Sequence, residues 1–94
     1  MITKLLTFED LEKDYLDKKV WVIYDDTKWN LPRHDIHSGY HTVCIDRYNI
    51  LDLQDSEGCF VGCIKTCIED KEIYVFNRQP LLSEIMILCN GGEI

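Results

Sequence analysis

The sequence predicts an α+β domain: an N-terminal helix, an antiparallel meander of about five strands, and a short C-terminal helix. The strands are expected to curl into an open sheet or a small SH3-like barrel. Three observations carry this reading. Apolar residues recur at helical spacing among acids near the N-terminus, β-branched and aromatic runs bounded by polar turns fill the middle, and Pro80 and Gly91 bracket an apolar run at the C-terminus.

The first helix is expected over residues 8–17, where Phe8, Leu11, Tyr15 and Leu16 fall on one face and acids fill the rest. Thr7 stands where it can accept from the N–H three residues on, and Asp10 can reciprocate, which makes a capping box. Residues 20–24 form a β-branched and aromatic strand that stops at Asp25 and Asp26. Residues 27–39 then lose periodicity and gather Trp29, Pro32, His34, His37 and Gly39, the longest loop signal in the chain. Strands follow at 40–45 and 49–54, and Asp55, Ser56, Glu57 and Gly58 make a strong turn. Residues 59–68 read as a longer strand with Cys59, Cys63 and Cys67 on one face and Gly62 at a bulge. A turn at Glu69, Asp70 and Lys71 leads into a strand over 72–76, and Leu82, Ile85, Met86 and Cys89 then share a broad apolar face of the last helix.

Ninety-four residues suffice for one compact domain over 1–94 and are too few for two. Seventeen acids against ten Lys and Arg leave a net charge of −7. Counterion release on DNA or RNA needs clustered cations, so direct nucleic-acid binding is not expected. No run approaches the ~20 apolar residues of a membrane span, and the first residues lack a signal peptide's apolar stretch. Five cysteines, an odd number without a disulfide-framework spacing, read as reduced thiols in a cytoplasmic protein.

Four groups of residues could carry function. His34, His37, His41 and Cys44 are all ligand types that zinc accepts, within eleven residues of each other, yet their spacing matches no paired zinc motif. The alternative is a polar loop whose imidazoles bond locally. Cys59, Cys63 and Cys67 suit either a thiolate cluster or, more simply, packing of small apolar side chains. Ser38 and Cys44 near His37 and His41 supply nucleophile and base types, but neighbours on a strand rarely align for catalysis. No phosphate-cradling, dinucleotide-binding or zinc-protease motif accompanies them, so no enzyme is expected.

The remaining signal is surface chemistry. Acids fall in two blocks, from Glu9 to Asp26 and from Asp46 to Glu72. Glu9, Asp10, Asp14, Asp25 and Asp26 are the candidate charges for steering onto a basic protein surface, the kind that nucleic-acid-binding proteins own. Trp29, Arg33 and Tyr40 are hot-spot residue types in or beside the loop and complete the candidate contact set. The sequence therefore points to a small acidic binding protein, a regulator or inhibitor in the style of phage and mobile-element products, whose partner is a larger protein. The alternative is a module that sequesters a small ligand or zinc through residues 29–44. A homodimer is compatible with the apolar content on two sheet faces.

Overall fold

In the computed structural model, residues 2–25 and 38–92 are described. Helix α1 (Phe8–Asp14) precedes strand β1 (Lys19–Tyr24); β2 (Gly39–Ile45) and β3 (Leu51–Gln54) follow. Helix α2 (Ile64–Glu69) then leads to β4 (Ile73–Phe76) and helix α3 (Leu82–Leu88). The expected capping box is present. Thr7 Oγ1 accepts from the Asp10 N–H at 3.2 Å, and Asp10 Oδ2 accepts from the Thr7 N–H at 2.9 Å.

The four strands pair antiparallel in the order β3-β2-β1-β4 and curl into a half-barrel that does not close. An α+β class with an antiparallel sheet is therefore what forms, with four strands instead of about five. The last strand does not continue the meander. It pairs with β1, Val22 opposite Val75, because α2 carries the chain back across the sheet. Each edge is covered by a short length of chain: Leu5 bridges to Phe76 beside β4, and Phe60 bridges to Gln54 beside β3. Backbone groups that would otherwise be open to another sheet are thus engaged within the molecule.

Strand alternation sorts the two faces. Val20, Val22 and Tyr24 of β1, Val43 of β2, Leu53 of β3, and Ile73 and Val75 of β4 face one core. Leu11 of α1 and Ile64 and Cys67 of α2 close it from above, so both helices lie on the same side of the sheet. At roughly 1.5–3 kcal/mol for each fully buried aliphatic side chain, this one layer dominates the stability of the fold.

The segment 59–68 departs from the expected strand. Only Phe60 makes a strand-like bridge; Gly62 (φ 77°) and Cys63 (φ 50°) then turn left-handed in succession, and α2 begins at Ile64. Val61, Ile64 and Cys67 are buried at a spacing of three, which is the helical period. Gly62 accordingly marks the point where strand becomes helix and not a bulge within a strand. The cysteine face dissolves with it: Cys63 is exposed, Cys59 is half-buried, and Cys67 sits in the core with its thiol toward the Gly62 carbonyl.

Candidate functional site

Histidine 41 is the buried polar side chain of β2, only 2% exposed. Its Nδ1 lies 2.9 Å from the Gly39 carbonyl and its Nε2 2.9 Å from the Tyr24 hydroxyl. A carbonyl can only accept, so Nδ1 carries the proton and Nε2 receives the Tyr24 O–H. Burial holds the imidazole below its ordinary pKa, opposed by the Gly39 carbonyl and the more distant Asp55 carboxylate. The ring is thus neutral with both nitrogens engaged. Tyr24 ends β1 and Gly39 opens β2, and the Ser38 hydroxyl accepts from the Tyr24 N–H at 3.3 Å. His41 and Tyr24 consequently tie together the two strand ends that bound residues 26–37.

This geometry separates two of the four zinc candidates. His41 faces the core while Cys44, three residues on in the same strand, faces the other side of the sheet. They cannot share an ion. The Cys44 thiol points to the Asp52 carbonyl at 3.7 Å, and burial together with the Asp52, Asp46 and Asp17 carboxylates pushes its pKa up. A thiol held protonated is a poor ligand and a poor nucleophile. His34 and His37 lie outside the described residues. Among the described residues no group of three or more His, Cys, Asp or Glu side chains could hold a metal.

The acidic candidates separate into two kinds. Among the described residues, several carboxylates are engaged by backbone N–H groups. Asp10 caps α1, Asp46 accepts from Tyr48 and Ile50, Asp55 accepts from Glu57 and Cys59, and Glu84 accepts from Leu81 at the start of α3. Asp52, buried beside Cys44, accepts from Leu53 and from Gly62 and so pins the start of the α2 segment to β3. Backbone donors hold the carboxyls of Asp10 and Glu84 below their ordinary pKa values.

Glu9, Glu12 and Asp14 are different. They are exposed on α1, Glu9 opposite buried Leu11 and Glu12 and Asp14 toward its two flanks with exposed Lys13 one turn after Glu9, and no hydrogen bond or ion pair to a described residue engages them. Asp17 and Glu69 are also exposed. The nearby cations Lys18 and Lys65 lie over the rings of Tyr15 and Phe8, at 5.9 Å in each case. The sequence signal that separates the two kinds of acid is position: Asp at a cap or turn start engages backbone, whereas mid-helix Glu faces solvent.

Of the aromatic candidates, Tyr40 is 48% exposed and packs edge-on against Trp21, ring centroids 4.8 Å apart. Both belong to the sheet face opposite α1. Glu9 and Asp14 therefore do not share a surface with Tyr40. Asp25 follows β1, half-buried, with its N–H on the Glu72 carbonyl; Asp26, Trp29 and Arg33 lie outside the described residues. Reading the sequence alone counted Glu12 in the first acidic block but not among the candidate contact residues, and missed the apolar exposure of α3. No helix among the described residues is long and apolar enough to cross a membrane. The chain matches no protein-family model, no curated protein and no solved structure.

Proposed function

We propose that the protein is a small regulator or inhibitor that docks its acidic α1 face onto a basic surface of a larger protein and catalyses no reaction. The observation that carries this reading is the set of exposed, unengaged carboxylates around α1, Glu9, Glu12 and Asp14, reinforced by Asp17 beyond the helix end. They stand on a helix clamped to the core by Leu11, with Phe8 and Tyr15 packed on either side. A rigid array of like charges raises the encounter rate with an opposite surface and fixes its register. A partner that binds nucleic acid offers such a surface, and occupying its phosphate sites would inhibit it. The cytoplasm suits a chain whose five cysteines form no disulfide.

The reading is tested by capturing partners from the native host at low salt with the wild-type protein and with a Glu9→Lys, Glu12→Lys, Asp14→Lys variant. A basic protein retained by the wild type, released by added salt and not retained by the variant is the expected result. Retention indifferent to both salt and charge reversal contradicts it.

A further inference from the structure

Helix α3 has an apolar side that the molecule leaves uncovered. None of its residues is buried, although five of its seven are Leu, Ile or Met. Leu82 and Met86, one turn apart, are 74% and 62% exposed, and Leu81 and Ile87 flank them at 62% and 43%. A helix apolar nearly all round belongs in an interior. Beneath its C-terminal end an apolar cleft of about 230 Å³ remains, bounded by Leu5, Ile73, Val75 and Leu88, so the helix does not press fully onto the sheet.

Charge is depleted in the same place. In a chain with 29% charged residues, the stretch from Gln79 to Gly92 contains one charge, Glu84, and that carboxylate is turned to the Leu81 N–H. An apolar centre with Met and without charges is the composition of an interface core.

We infer that α3 is the contact through which two copies of this chain form a symmetric dimer, with Leu82 and Met86 of each copy at the centre. Area and charge both favour a second copy. The four exposed side chains present on the order of 450 Å² of apolar surface. That is a little over half of the roughly 800 Å² per partner that a standard interface buries, which is the apolar share such interfaces have. Each copy carries a net charge of −7, so two copies approach best where neither presents charge. The α3 patch meets that condition, and a twofold axis lets one self-complementary patch serve both chains.

This contact is independent of the acidic face, and the two respond to salt in opposite directions. Screening weakens acid-to-base docking but relieves repulsion between two acidic chains. The test is sedimentation equilibrium of the full chain over a concentration series, at about 0.1 M and about 1 M salt. It is run on the wild type, on Leu82→Glu and Met86→Glu variants, and on the Glu9→Lys, Asp14→Lys variant. The inference predicts a wild-type dimer that tightens with salt and a dissociation constant raised on the order of a hundredfold in each α3 variant. Both α3 positions are solvent-exposed, and an unchanged circular dichroism spectrum shows that the fold is kept. The α1 variant should dimerise at least as tightly as the wild type. A monomer at every concentration and both salts overturns the inference, as does a dimer that survives both α3 substitutions. A monomer that instead co-sediments with zwitterionic phosphatidylcholine vesicles also overturns it and makes the patch a lipid contact.

Discussion

His41 is the residue on which the described structure makes its sharpest demand. Its neutral form fits a buried site with one donor and one acceptor in place, whereas a protonated ring would bring a second N–H to the Tyr24 oxygen and a desolvated charge. The folded pKa lies below the ordinary 6.5, so the folded state binds fewer protons than the unfolded chain at acidic pH. The stabilisation is fully present above pH 6.5 and is lost as pH falls through the depressed folded value. Urea titrations should show stability declining as pH falls below 6.5. A His41→Leu variant should lack this component of the slope. Tyr24→Phe leaves Nε2 buried without a donor and should cost about 1–3 kcal/mol at neutral pH. A Tyr24→Phe protein as stable as the wild type would show that this hydrogen bond contributes nothing. The Thr7–Asp10 box makes a complementary case: Thr7→Ala should lower stability by about 0.5–2 kcal/mol, read from the same titrations, yet leave partner retention unchanged because the exposed acids remain.

Among the elements, α1, β1, β2, β3, β4 and α3 were legible because each is a local signal: a capping box, a β-branched run, an Asx turn, a Pro-to-Gly frame. Helix α2 was not. Its sequence also alternates, with Cys59, Val61, Cys63, Lys65 and Cys67 on one row, and β-branched Ile64, Thr66 and Ile68 favour the strand reading. What decided the outcome is non-local: Asp52 on β3 takes the Gly62 N–H, and burying Val61, Ile64 and Cys67 together on the sheet requires the helical period. For the same reason the fourth strand's place beside β1 could not be read from adjacency. The break itself is testable, since Cys63 sits at φ 50°, where a side chain costs roughly 1–2 kcal/mol. Cys63→Gly should raise the urea midpoint, and Cys63→Val, β-branched and poorly suited to that backbone, should lower it. The opposite order would mean that the strand-to-helix switch does not depend on Cys63. The candidate site was legible only in part: the sequence locates the acids, but it could not separate carboxylates bonded to backbone from those facing solvent, nor place Tyr40 on the far face.

At the scale of the whole molecule, the sheet divides the surface. The α1 and α2 side holds Glu9, Glu12, Asp14 and Glu69 over a closed core, the other side exposes Tyr40 against Trp21, and α3 presents an apolar ridge at Leu82 and Met86. Both sheet edges are covered within the chain, by Leu5 and by Phe60, so association is directed to side-chain surfaces and away from strand addition. The most direct measurement of the central claim is the association rate constant with the captured basic partner as a function of ionic strength, for the wild type and the Glu9→Lys, Glu12→Lys, Asp14→Lys variant. Steering by the α1 face predicts a wild-type rate that falls by about tenfold or more between low and physiological salt, and a variant rate that is slow and flat. Equal rates for the two proteins at low salt would contradict it.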